Sequence, residues 1–303
     1  MFEESRDCGL LRVDWQKGES RFTAYPEAGG RLAAWSWRGL PIIYWPTAPN
    51  LKLMAKVRGG NPLLFPFAGR SHAGGREGFW RNPQGAILPI SQHGFARSSQ
   101  FALIEKTDEG FAAELVQDGV LQQSYPYKHR FSVDYRFEAK RLKVRLQLEN
   151  LSTEAIPWAP GHHFYFGLPF VAGGSRSDWK LEHLAKRAYR HMEDGEGSLS
   201  EEEATQPLDF GDPAISNRIL AELQTSKVCL VSEKHNFKIE VLTKVEREDL
   251  LAVVVWTENQ ESPFYCVEPW YGLPNAGGGK GERALVPPGG WDSMLVEIRI
   301  VED

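Results

Sequence analysis

Between residues 131 and 138 the apolar side chains fall at 131, 133, 135 and 137, and between 141 and 149 they fall at 142, 144, 146 and 148. A period of two puts each set on one face of an extended chain, so both segments read as strands with one wet side. Ala139 and Lys140 between them leave room for a tight hairpin. Runs of the same kind recur at 10–15, 21–25, 31–37, 101–105, 111–116, 227–231, 237–242, 250–256 and 294–301, with turn residues between nearly all of them. This pattern predicts an all-β chain in which large antiparallel sheets pack face to face, a β-sandwich with few short helices. Segment 178–191 has some helical spacing at Trp179, Leu181, Leu184 and Ala188, and predicts either a short surface helix or part of an insertion. Segment 193–212 is acidic, Gly-containing and poor in branched residues, which predicts an exposed loop. Strands of one character lie on both sides of it and no long repeat is visible, so residues 1–303 are expected to form a single domain.

Composition narrows the class. With 42% hydrophobic and 25% charged residues the chain has the make-up of a soluble globular protein, which excludes disorder and low complexity. The 29 Gly, 19 Pro and 12% aromatic residues favour many short strands over long helices. A formal charge of -5 with no basic block argues against nucleic acid as a partner. The longest apolar run, 250–256, is far short of the roughly 20 residues that cross a bilayer. The start, Met1-Phe2-Glu3-Glu4, has neither the basic nor the apolar region of a secretory signal, so a cytoplasmic protein without membrane association is expected. Cys8, Cys229 and Cys266 form no CxxC pair and read as small apolar residues. Nothing in the sequence speaks to oligomeric state.

Several candidate chemistries fail on spacing. Gly277-Gly-Gly-Lys280-Gly281 has Gly where a phosphate-binding P-loop needs Ser or Thr after the lysine, so it is expected to be a surface loop. No histidine spacing resembles a metal motif, and the neighbours His162 and His163 would point to opposite faces of a strand. No metal site is expected. Three other segments set titratable residues among Gly, Pro and aromatics. They are Gln92-His93-Gly94-Phe95-Ala96-Arg97, which follows Arg58-Gly59-Gly60-Asn61-Pro62 and Gly69-Arg70; then Pro160-Gly161-His162-His163-Phe164-Tyr165-Phe166; and Glu268-Pro269-Trp270-Tyr271-Gly272. Singly, each is better read as turn or strand-end chemistry. Together, one carboxylate, imidazoles and aromatics able to stack on a sugar ring are what proton transfer at a ring oxygen requires.

These motifs, in this order, resemble the aldose 1-epimerase (mutarotase) family of the galactose-mutarotase-like superfamily. The likeness is greatest to a divergent bacterial branch related to hexose-6-phosphate 1-epimerases, and it runs from about Gly29-Gly30-Arg31 to Pro287-Pro288-Gly289. It implies that His163 is the general acid on the ring oxygen, Glu268 the general base on the anomeric hydroxyl, and His93 a second imidazole on the ring-oxygen side. It further implies substrate contacts from Trp270 and from Asn217, which stands in Ser216-Asn217-Arg218 where relatives often carry an aspartate. Arg58 and Arg97, with Arg70 as a further candidate, match the phosphate ligands of the hexose 6-phosphate branch; the other reading, in which they pair with carboxylates or shape the loop, stays open. The expected partner is a small-molecule sugar or sugar phosphate, and no cofactor is required. At reference values a carboxylate is ionised and an imidazole partly protonated near neutral pH, which suits concerted transfer. No convincing second carboxylate accompanies Glu268, so a glycosidase is not indicated. The competing reading is a non-catalytic carbohydrate-binding or sugar-sensing β-sandwich. His72, His129, His183 and His191 are expected in surface or packing roles.

Overall fold

A computed structural model describes residues 1–278 and 282–302. Two large sheets hold most of the strand residues. The 13-stranded sheet runs in the order Phe2–Asp7, Leu10–Lys17, Ser20–Tyr25, Arg31–Trp37, Leu40–Ile43, Phe164–Phe166, Tyr265–Tyr271, Leu251–Trp256, Arg218–Leu223, Ala185–His191 and Leu199–Glu202, with Leu63–Leu64 and Gly161–His162 attached beside its middle. The 9-stranded sheet runs Phe101–Thr107, Gly110–Leu115, His129–Glu138, Arg141–Asn150, Trp291–Glu302, Phe237–Lys244, Lys227–Val231, Lys180–Glu182 and Leu208–Asp209. The hairpin expected at Ala139-Lys140 joins His129–Glu138 to Arg141–Asn150 in antiparallel register.

The alternation explains the packing. Phe131, Val133, Tyr135 and Phe137 are buried, and so are Leu142, Val144, Leu146 and Leu148, while the residues between them are partly or fully exposed. Their apolar faces meet the inner face of the larger sheet, where Phe22 stacks on Phe137 with ring centroids 4.5 Å apart and Trp15 on Phe111 at 5.8 Å. One hydrophobic cluster extends from Leu11 to Ile300 and draws on both sheets. Helix among the described residues is limited to Gly119–Ser124, capped by the Asp118 carboxylate, and short 3-10 turns.

Several expectations need correction. Segment 178–191 holds no α-helix: after a 3-10 turn at Arg176–Asp178 it forms strands Lys180–Glu182 and Ala185–His191. Trp179 and Leu181 are buried two residues apart while Leu184 is largely exposed, so the apparent helical stripe does not lie on one face. Segment 193–212 is not all loop, because Leu199–Glu202 adds an edge strand to Ala185–His191 and Leu208–Asp209 adds another to Lys180–Glu182. Glu201 and Glu202 sit on the first of these edges, paired with Arg187 and with Arg190 and Arg218 respectively. The Gly-rich stretch also differs from expectation where it is described: Ala276–Gly278 is a 3-10 turn with Ala276 and Gly277 buried, and Gly279, Lys280 and Gly281 lie outside the described residues. Cys229 and Cys266 are buried as expected, but Cys8 is exposed in a left-handed turn.

Candidate active site

The period of two that builds the core also builds the site. Along Tyr265–Tyr271, Tyr265, Val267 and Tyr271 join the inter-sheet core, which sends Cys266, Glu268 and Trp270 to the opposite face. On the neighbouring strand Val253 and Val255 face the core, and Val254 and Trp256 face outward. Val254, Trp256, Glu268 and Trp270 floor a cleft of about 1000 Å³, with Cys266 packed beneath them against Tyr165 and Phe264.

His163 enters the cleft from the other side. Phe164 pairs with Val267 and Gly161 with Trp270, and carrying that one register between them sets His163 directly across from Glu268. Pro269, which has no N–H to give to the ladder, falls across from His162 in the same register. The His163 backbone N–H points to the other side and donates to Asn61 Oδ1 at 3.1 Å. His162 points to the core face as expected, its Nδ1 2.9 Å from Asn61 Nδ2 and its ring stacked on Phe164. Asn61 Nδ2 also donates to the Tyr135 hydroxyl at 2.8 Å, so one buried amide fixes both histidines.

His163 Nε2 lies 3.4 Å from Glu268 Oε1, with both side chains almost fully buried. Trp270 Nε1–H donates to Glu268 Oε2 at 3.2 Å and orients the carboxyl. Trp270 itself is wedged where a Cβ on Gly69 or Gly161 would come within 3 Å of its ring. The His163 ring stacks flat on Tyr165 at 4.8 Å and meets Trp256 edge-on at 5.7 Å. His93 reaches the same floor from a tight turn in which both it and Gly94 take left-handed backbone angles. Its Nδ1 accepts the Gly69 backbone N–H at 3.1 Å, which leaves Nε2–H as a donor, and its ring centroid is 5.5 Å from that of His163.

Burial governs the protonation of this group. It drives the Glu268 carboxyl well above its ordinary range, against the Trp270 N–H and the Arg97 charge, which pull it down. Burial likewise drives the His163 imidazole well below its ordinary range, helped by His93, Arg97 and Arg31. His93 is pushed down to about 3 by burial and by the arginines around it. The reference ionisation expected from sequence therefore does not hold in the free site, where both members of the pair favour their uncharged forms.

The arginines take separate stations on the cleft. Arg97 donates to the Gln92 carbonyl at 2.9 Å. Arg58 lies 3.5 Å from Glu258 and 5.1 Å above the Trp256 ring, and Arg70 lies 3.3 Å from Glu77, both pairs exposed. Arg58 is set by its segment: buried Arg31 donates to the carbonyls of Met54, Val57 and Gly59 and clamps the backbone on either side of it. Asn217, also left-handed, sits exposed at the rim. Sequence reasoning missed Trp256, which faces the cleft beside His163, and it assigned His72 and His191 to surface or packing although both line the cleft. Trp256 follows from the alternation of its strand; the two histidines have no local signal. His129 and His183 are buried in packing roles as expected. One metal-ligating cluster is found among the described residues, His163 with Cys266 and Glu268, which sequence spacing did not indicate.

A sandwich of two large antiparallel sheets, with a cleft on the outer face of the larger one, is a galactose mutarotase-like architecture. The chain belongs to the aldose 1-epimerase family, whose profile matches residues 13–276. The chromosomal Protein LacX of Lactococcus lactis subsp. lactis is 25% identical over 278 residues, covering 85% of this chain and 87% of that protein. A galactose mutarotase-like protein from Clostridium acetobutylicum superposes with a TM-score of 0.83 at 16% identity, covering 100% of this chain and 99% of the other. A galactose mutarotase related enzyme from Lactobacillus acidophilus gives 0.79 at 20% identity, covering 96% and 97%. No helix among the described residues is long and apolar enough to cross a membrane.

Proposed function

We propose that this chain interconverts the α and β anomers of a hexose or hexose 6-phosphate by opening and reclosing the sugar ring, acting as a single unit over residues 1–303 without a cofactor. The observation that carries this reading is the 3.4 Å contact between His163 Nε2 and Glu268 Oε1 on the cleft floor. The pair holds one proton. In the free site it rests on the Glu268 carboxyl; its transfer to His163 gives the carboxylate and imidazolium that the reaction uses. Sugar hydroxyls, the Trp270 N–H and the Arg97 charge stabilise the carboxylate as it forms. Glu268 then takes the proton of O1 while His163 delivers one to the ring oxygen. The C1–O5 bond breaks, the free aldehyde rotates about C1–C2, and the reverse transfers close the ring on its other face. The His93 Nε2–H donates to the ring-oxygen side.

The cleft is basic in a protein whose net charge is negative: Lys56, Arg58, Arg70, Arg97 and Arg190 face Glu77, Glu193 and Glu268. Arg190 is held by Glu202 and two carbonyls, whereas Arg58 and Arg70 pair only with exposed carboxylates that a substrate dianion can displace. That balance favours the phosphorylated sugar, with bidentate guanidinium contacts to its phosphate. Polarimetry or NMR of freshly dissolved α-glucose, α-galactose and glucose 6-phosphate tests both levels. Accelerated anomer exchange supports the epimerase; binding without acceleration on any sugar supports the sensing module instead. Arg58→Ala and Arg97→Ala should each lower kcat/KM for the phosphorylated sugar about tenfold or more relative to the free one. An unchanged preference in both variants rules out the phosphate assignment.

A further inference from the structure

Cys266 is a buried thiol just beneath the cleft floor, packed with Tyr165 and Phe264, for which the sugar chemistry has no use. It precedes Glu268 by two residues on the same strand, so both side chains leave the same face of the sheet. His163 stands across from Glu268 on the adjoining segment. The ligating atoms of the three, an imidazole nitrogen, a carboxylate oxygen and the thiol sulfur, all lie within 4.8 Å of one another, and all three residues are buried. Sequence spacing conceals the set, because two ligands come from one strand and the third from a segment about a hundred residues earlier.

The geometry is close to that of a tetrahedral ion. Zinc bonds of about 2.0–2.3 Å place neighbouring ligands roughly 3.3–3.8 Å apart. The His163–Glu268 edge, at 3.4 Å, already has that length. Closing the site requires the sulfur to move in by about 1 Å, within reach of a side-chain rotation. Thiolate and carboxylate together neutralise a divalent ion, which suits a buried position, and nitrogen with sulfur selects a borderline-soft metal over magnesium or calcium. His163 and Glu268 border the cleft, so an ion enters by the route the sugar takes and keeps its fourth position toward the cleft.

We propose that His163, Cys266 and Glu268 form a binding site for a zinc-class divalent cation that competes with the sugar and reversibly silences the enzyme. Binding displaces the thiol and carboxyl protons to solvent and forms three metal–ligand bonds, with no redox change. The inhibition half of this proposal rests on the acid/base reading given above; the binding half does not.

The test uses the full chain with Cys8→Ser and Cys229→Ser, which leaves Cys266 as its one thiol. The metal-free protein is titrated with Co2+ as an optical probe and with Zn2+ against a chromophoric chelator. The expected result is one equivalent bound, a near-ultraviolet thiolate-to-cobalt band, and anomer exchange that Zn2+ suppresses and a chelator restores. Cys266→Ser, with Cys266→Ala as the second variant should the first misfold by circular dichroism, should lose the band and weaken Zn2+ at least tenfold while keeping metal-free exchange. Absence of the thiolate band, or Zn2+ affinity unchanged within twofold in the Cys266 variants, overturns the site. A protein that shows the band and stoichiometry but never accelerates anomer exchange keeps the metal site and refutes the epimerase reading instead.

Discussion

A carboxyl and an imidazole placed 3.4 Å apart and withdrawn from water answer to one dielectric penalty, which raises the first and lowers the second. This sets how the reaction should respond to pH. The pair works with one proton, which rests on Glu268 in the free site, so kcat/KM should fall as the pH rises through the raised Glu268 pKa, well above the ordinary carboxylate range near about 4.3, and that proton is lost. Arg97 holds that pKa down by its charge. Arg97→Ala should therefore move the alkaline limb of the kcat/KM profile to still higher pH, and Arg97→Lys should leave it nearly in place. An alkaline limb that Arg97→Ala leaves unmoved would show that the working proton does not rest on Glu268. The residues of this group were legible in the sequence because each interrupts a strand pattern with Gly, Pro or aromatic neighbours. Their protonation was not, since burial is a property of the packed cleft. His72 and His191 were illegible for the related reason that what they face is decided by segments distant in sequence.

At the scale of elements, alternation did most of the predictive work, because a strand with one wet face writes its period directly into the chain. It failed at 178–191, where a few apolar residues fit two periods at once and pairing with Lys227–Val231 and Arg218–Leu223 decided between them. It also could not see that Glu268-Pro269, read as a possible strand end, sits inside a central strand. There Pro269 pairs with Val253 on one side, and on the other face of the His163 segment Asn61 takes the His163 N–H. The turn that presents His93 is the most constrained local element of the site. A Cβ on Gly94 would lie 1.9 Å from the Phe65 carbonyl oxygen, and the left-handed backbone alone costs a non-Gly residue about 1–2 kcal/mol. Gly94→Ala should lower stability by about 3 kcal/mol or more, read as a shift of the denaturation midpoint, and should reduce kcat through displacement of His93. A variant with wild-type midpoint and kcat would show that this turn does not position the imidazole.

The whole molecule stores several neutral histidines between and behind its sheets. Burial pushes His93 and His162 down to about 3 and His129 to about 4, from an ordinary value of 6.5. In the unfolded chain each regains its ordinary pKa, so between those values the unfolded state binds more protons than the folded one. The stability these groups contribute is complete above about 6.5 and is lost as pH falls toward about 4 and then 3. Denaturation midpoints measured from pH 7.5 to 4.5 should decline accordingly, and His162→Gln should flatten the decline. A flat profile in the parent protein would contradict the buried, neutral assignment. The sandwich was legible in the alternation, but the division of strands between its two sheets and their order was not, because it depends on which distant segments pair. That division also puts the cleft on the outer face of the larger sheet, away from the inter-sheet core.

The central claim is that Glu268 and His163 exchange protons with a sugar. It is tested most directly by the NMR exchange rate between α and β anomers with Glu268→Gln, which keeps the shape of the side chain and the Trp270 hydrogen bond but cannot take a proton. The expected result is a loss of about 10²–10⁴-fold in the catalysed rate with an unchanged circular dichroism spectrum. Wild-type exchange in that variant would contradict it.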